Sequence, residues 1–159
     1  MNWLAHAVGA FGGTVAMTIL ISGSRGMGLT RMDIPFMLGT MLTPDRDKAR
    51  WVGVVVNLVN GWLFAWIYFA AFALHRGIWS YPLFGAAIGL AHSLFVLTAG
   101  MSLLPSLHPR MATEQCGPGV KRLLEPPGFM ALNYGAGTPI VTVLAHLAYG
   151  AFLGWCFSA

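Results

Sequence analysis

Two histidines and two asparagines sit where an apolar chain has least reason to carry them. His92 and His146 fall inside stretches 77–109 and 126–159, and Asn57 and Asn60 inside stretch 51–75, none of which contains an Asp, Glu, Lys or Arg. Each of these side chains brings polar atoms that need partners, so it either fixes helix packing or serves a ligand. Three chemistries are open to the histidines. A hydrogen-bonded network needs only an amide or carbonyl beside each ring. A solute or proton pathway through Asn57, Asn60, His92 and His146 would use an imidazole that titrates near neutral pH. Axial ligation of one b-type haem would need the two rings to face each other across a bundle. No other haem signature accompanies them, so no cofactor is expected and haem b stands as the alternative.

A second group lies in the more polar segments: Asp33, Glu125, His108 and Arg110. Two carboxylates and a histidine could hold a divalent metal. Their spacing matches no metal-binding pattern, and the expectation is a cluster of ion pairs that closes the loops, with Arg31 and Arg122 as further partners. Met27, Met32, Met37 and Met41 are separated by five, five and four residues, which suits neither one helical face nor a tight chelate. Packing at an interface is the expected role. The chain has no phosphate-binding glycine loop, no zinc-protease helix motif and no nucleophile elbow. Cys116 and Cys156 are expected on opposite sides of a membrane and therefore not bonded to each other.

The elements that must position these residues are long and apolar. Stretches 1–24, 51–75, 77–109 and 126–159 lack Asp, Glu, Lys and Arg, and each can hold the roughly 20 apolar residues that cross a bilayer. The whole chain is 57% hydrophobic and 9% charged, against about 25% charged for an average soluble domain. The expected fold is all-α: a single integral membrane bundle of four helices at about 3–22, 51–74, 82–104 and 138–157, joined by long loops 23–50 and 105–137. The first stretch lacks a basic leader and a small-residue cleavage site, so it is expected to stay as a helix. His92 and His146, counted from opposite ends of their helices at about 1.5 Å per residue, reach a similar depth of roughly 12–15 Å. Asn57 and Asn60 lie nearer the long-loop side, and His6 near the outer end of the first helix.

Arg25, Arg31, Arg46, Lys48, Arg50, Arg110, Lys121 and Arg122 all fall in or beside the long loops, against Arg76 alone in the short one. That asymmetry puts the long loops in the cytoplasm and both termini outside, in a bacterial inner membrane. It also accounts for the net charge of +4 without a nucleic-acid partner, since basic loops meet anionic lipid headgroups. Membrane lipids are the expected partners. Small residues spaced by four, Gly9/Gly13, Gly85/Gly89 and Gly150/Gly154, mark faces where helices approach closely, within the bundle or in a homodimer or larger membrane complex.

The chain also reads as two copies of one hairpin, each a helix, a long loop and a helix. Asp33-Ile34-Pro35-Phe36-Met37-Leu38 parallels Glu125 to Leu132, and Thr43-Pro44 parallels Thr138-Pro139, each expected to open a helix with the threonine as N-cap. The repeats would be parallel, as in some transporters. Phe36-Met37-Leu38 and Phe129-Met130-Ala131-Leu132 are too short to span, and would lie in the interface or dip into the bundle.

Asn60-Gly61-Trp62, a glycine-rich third helix ending in Gly100-Met101 and Pro105, and Ala145-His146-Leu147 together resemble the YagU-type family of small four-helix bacterial inner-membrane proteins. The resemblance is spread over most of the chain and implies the architecture alone. It transfers no residue role. The expected function is binding or permeation of a small solute, ion or proton at a polar site within the bundle, without catalysis. An accessory or structural subunit of a larger membrane complex is the alternative.

Overall fold

The computed structural model describes residues 3–112 and 124–158. Its elements are α1 (Trp3–Gly26), α2 (Ile34–Leu42), α3 (Arg46–Leu74), α4 (Tyr81–Phe95), a π turn (Val96–Gly100), α5 (Met101–Leu107), a 3-10 stretch (Phe129–Tyr134) and α6 (Thr138–Ser158). Among the described residues the extended backbone is one isolated bridge between Met111 and Leu124. Four helical rods are long and apolar enough to cross a membrane: His6–Gly26, Arg46–Leu74, Tyr81–Leu107 and Thr138–Ser158.

α2 is the element that the reading of 23–50 as a loop lacks. Its start is local chemistry: Asp33 accepts a hydrogen bond from the Phe36 amide at 3.1 Å, and Pro35 occupies the first turn, where its missing N–H costs nothing. The expected N-cap of α3 shifts by two residues. Thr43 ends α2, its amide bonded to the Gly39 carbonyl, and Asp45 caps α3 by accepting from the Asp47 and Lys48 amides at 3.0 and 3.2 Å. The carboxylate is the better acceptor for two amides. The Lys48 amide, first among these contacts, holds the Asp45 carboxyl below its usual range.

α6 lies between α1 and α4, and α1 also packs on α3, so the order around the bundle is α3, α1, α6, α4. Half of α6 is buried, more than any other rod, which is why its apolar residues surround it rather than forming one stripe. Its contact with α4 is backbone to backbone. A Cβ added at Gly85 would overlap the Gly150 carbonyl, and one at Gly150 would overlap the Gly85 carbonyl. Dispersion and close approach hold such a pair together where water cannot drive association. α2 lies equally close on α3, where Gly39 meets the Ala49 carbonyl and Gly53 the Pro35 carbonyl.

The segments after α1 and after α5 meet at one end, the loop side. Thr30 and Thr138 share a hydroxyl hydrogen bond of 2.7 Å, and Arg31 pairs with Glu125 at 3.1 Å. At the opposite end Tyr68, Phe69, Phe72 and Leu153 form a tight aromatic core with Tyr149. His6 sits in that region, its ring 4.1 Å from Phe69.

Candidate functional site

α3 brings Asn57 and Asn60 onto one wall, a turn apart. Asn57 is buried and donates from Nδ2 to Thr18 Oγ1 on α1 at 2.8 Å; Asn60 is half-buried. α4 and α6 bring His92 and His146 together, with ring centroids 4.8 Å apart and planes at 84°. His92 Nδ1 lies 3.1 Å from the Tyr68 hydroxyl, and His146 Nδ1 lies 2.8 Å from the Thr142 carbonyl. A carbonyl only accepts, so His146 Nδ1 carries the proton and Nε2 of the neutral ring is an acceptor.

All four residues line one cavity of about 240 Å³ between α1, α2, α3, α6 and the broken third rod. Its wall also carries Thr142, Tyr149, Phe64 and Gly61. Tyr149 is held in place by donating to the Gly61 carbonyl at 2.5 Å. Thr142 is 1% exposed, and its Oγ1 has no hydrogen-bond partner. A buried hydroxyl left without a partner is costly, and this one lies in the cavity wall. Thr142 and Tyr149 are missing from the sequence reading, although both share a helix face with His146, at i−4 and i+3.

The π turn is the other unread feature. The Met101 amide reaches back to Val96, one residue further than an α-helix allows, and Val96 and Gly100 line the cavity at the widened turn. Such turns favour binding sites because they break the regular ladder. Pro105, in the next turn, removes a further N–H from the rod.

The methionines gather in a way their spacing hides. Met32, Met37 and Met41 line the cavity and are joined there by Met17 and Met101, while Met27 is 70% exposed. Among the described residues no three His, Cys, Asp or Glu side chains converge as metal ligands would. The haem alternative does not fit the histidine geometry. Axial rings stand on opposite faces of a macrocycle with two metal–nitrogen bonds between them. Rings edge to face with centroids 4.8 Å apart leave no room for that plane.

The loop residues do not form one cluster. Asp33 pairs with Arg25 while capping α2, and Glu125 pairs with Arg31, which also donates to the Asn133 carbonyl. His108 and Arg110 belong to a separate device at the end of α2. His108 is buried and accepts at Nδ1 from the Arg110 amide at 3.1 Å, so its Nε2–H donates to the Met37 carbonyl at 3.0 Å. The Arg110 guanidinium donates to the Thr40 and Met41 carbonyls at 2.7 and 3.2 Å. Arg110 thereby satisfies two of the carbonyls that a helix leaves open at its C-terminus, while His108 ties the segment after α5 to the body of α2. Arg110→Met keeps the aliphatic stem and removes these bonds. It is expected to cost about 1–2 kcal/mol, read as a lower thermal unfolding midpoint.

Tyr134 closes the loop side. Its hydroxyl donates to the Glu125 carbonyl at 2.6 Å and lies 3.4 Å from Met37 Sδ. Burial first, and the nearby Glu125 second, push its phenol up to about 12, so it stays a donor at physiological pH. Cys156 is a buried free thiol; its expected separation from Cys116 concerns a residue outside the described ones. Arg122 and Lys121 lie outside them as well.

Compared with protein-family models, with curated proteins and with solved structures, the chain matches none.

Proposed function

We propose that this chain is a multi-pass protein of the bacterial inner membrane that binds a small neutral molecule inside its helix bundle. The observation that carries the reading is the single cavity lined by Asn57, Asn60, His92 and His146. Membrane residence is supported by the outward faces of the four rods, where Ile19, Leu63, Leu94 and Ile140 are exposed. Arg25, Arg31, Arg46, Lys48, Arg50 and Arg110 lie toward the loop side and Arg76 toward the other, which supports a cytoplasmic loop side with both termini outside.

Binding is favoured over free permeation. The half of the bundle away from the loops is filled by the aromatic core, and among the described residues the cavity wall holds no Asp, Glu, Lys or Arg. An ion there would lack a countercharge, which is expensive away from water. A neutral solute meets donors and acceptors instead. The resemblance to the YagU-type family and an origin from two parallel hairpin repeats are parts of the same proposal. The repeats are supported by the shared order of a carboxylate, proline, Phe-Met and Thr-Pro in the two halves, and the resemblance by Asn60-Gly61-Trp62, Gly100-Met101 with Pro105, and Ala145-His146-Leu147.

Native mass spectrometry of protein extracted gently from its own membrane tests the reading. The expected spectrum contains a small-molecule adduct that falls by about tenfold or more when His92→Leu and His146→Leu are combined, since two lost hydrogen bonds carry about that much. Helical circular dichroism should be unchanged in the variant. An adduct that survives both substitutions defeats the proposal. A copurified partner chain in place of a ligand would favour the accessory-subunit alternative.

A further inference from the structure

α3 and α4 are consecutive, yet they touch over only part of their length. From the turn at 75–80 as far as His92 they are joined by His75 on Phe84, Phe72 on Phe84 and Tyr68 on His92. On the loop side of His92 the two rods draw apart, and the π turn and α5 make at most marginal contact with α3. The resulting seam is bordered by Asn60 and Phe64 on one side and by Val96, Gly100 and Leu104 on the other. These are cavity-wall residues, and none of the five is fully buried. A side opening in a rod of this kind faces acyl chains when the bundle stands in a bilayer.

The lining states what could use it. The polar end offers the unpartnered Thr142 hydroxyl and the His146 Nε2 acceptor, and among the described residues no charged side chain lines the cavity. The remainder is largely apolar, with five methionines whose flexible thioethers adapt to an irregular partner. A volume of about 240 Å³ exceeds the about 150 Å³ that holds benzene. It is too small for a long chain, so the rest of such a chain must lie in the seam.

Building on the cavity-binding reading, we infer that the ligand is a neutral lipid-phase molecule with an apolar body and one hydroxyl or carbonyl head. It enters sideways through the seam between α3 and the π turn and sets its head against Thr142 and His146.

Gly100 provides a way to close the seam without breaking the fold. Beyond its own stretch of helix, a Cβ built there meets no atom of the described residues nearer than 3.9 Å, so Gly100→Phe has room for its ring. The full chain would be placed in phosphatidylcholine liposomes and photolabelled with a diazirine-bearing hexadecanol. A sulfonate of the same chain and a short water-soluble diazirine butanol serve as comparisons, and labelled peptides are mapped by mass spectrometry. Saturable labelling of cavity peptides by the hexadecanol is expected, with the sulfonate weaker by about tenfold. Gly100→Phe should abolish it, and Thr142→Val should lower it by about two- to tenfold. Gly100→Leu serves as a smaller block if the phenylalanine variant fails to fold. Hexadecanol labelling that persists in the folded Gly100 variant, equal labelling by the sulfonate, or cavity labelling by the butanol alone overturns the lateral, neutral-lipid inference and leaves the cavity reading standing. Absence of saturable cavity labelling by both alcohols overturns the cavity reading itself.

Discussion

Gly150→Leu is expected to unfold the bundle or to cost at least about 3 kcal/mol. The reason is the line of backbone contacts between α4 and α6. Gly150 faces the Gly85 carbonyl, Gly89 faces the His146 carbonyl and Gly154 faces the Tyr81 carbonyl. A flexible side chain could turn away from a new methyl group, but a helix carbonyl cannot without surrendering its own hydrogen bond. The rods would have to separate, and with them would go the His92–His146 contact that the same interface sets. Gly100→Leu is the internal control. It makes the same chemical change in the same rod system, at a glycine with open space around it, and should stay within about 1 kcal/mol of the parent because it removes a poor helix former. Thermal unfolding followed by circular dichroism, together with gel filtration in mild detergent, reads both. Equal midpoints for the two variants would show that the close approach of α4 and α6 is not what holds the bundle.

That interface was legible in the glycine spacing, and so were the four rods, because each rests on a pattern within a single helix. Depth counting put His92 and His146 at a similar level but left open whether they face each other; that follows only from the packing of α4 on α6, which brings the rings together. What stayed hidden depends on relations between elements. Asp33, Glu125, His108 and Arg110 look like one charged group along the chain, yet the fold divides them between two loop ion pairs and the end of α2. α2 itself carries a readable start in Asp33 and Pro35, but its nine residues are too few for a span, and a search for spans passes over it. The π turn has no residue pattern of its own beyond Gly100 and Pro105. The two loops, alike in residue order, take different shapes. Ile34–Leu42 is an α-helix, whereas Phe129–Tyr134 is a 3-10 stretch in which Met130 and Ala131 hold left-handed φ angles of 53° and 59°. Pro126-Pro127-Gly128 precedes it, with Gly128 at a φ of 69°, and the chain leaves this turn in a direction that a regular helix could not follow. Likeness in sequence order between the halves therefore does not carry over to the backbone of the loops.

α2 also prepares the largest functional change expected from a single residue. Met37 lines the internal cavity and a second, loop-side pocket of about 180 Å³ that contains Arg31, Asp33, Glu125 and Tyr134. One side chain, 7% exposed, thus lies between a charged vestibule and the internal cavity. Its carbonyl is held by His108, and its sulfur lies against the Tyr134 hydroxyl. Met37→Ala deletes the three outer heavy atoms of the partition. The neighbours that hold α2 in place are untouched, so the space should open rather than collapse. Asn60→Cys, in a Cys116→Ser and Cys156→Ala background, reports on the interior. A charged, water-soluble methanethiosulfonate cannot reach it through lipid and must pass Met37. Its reaction rate is expected to rise by tenfold or more, equivalent to a barrier lower by about 1.4 kcal/mol. Met27→Ala, at an exposed position away from the partition, should leave the rate unchanged. An unaltered rate in Met37→Ala would mean that the vestibule and the cavity are separated by more than this side chain. A rise in both variants would point to general loosening of the loop side.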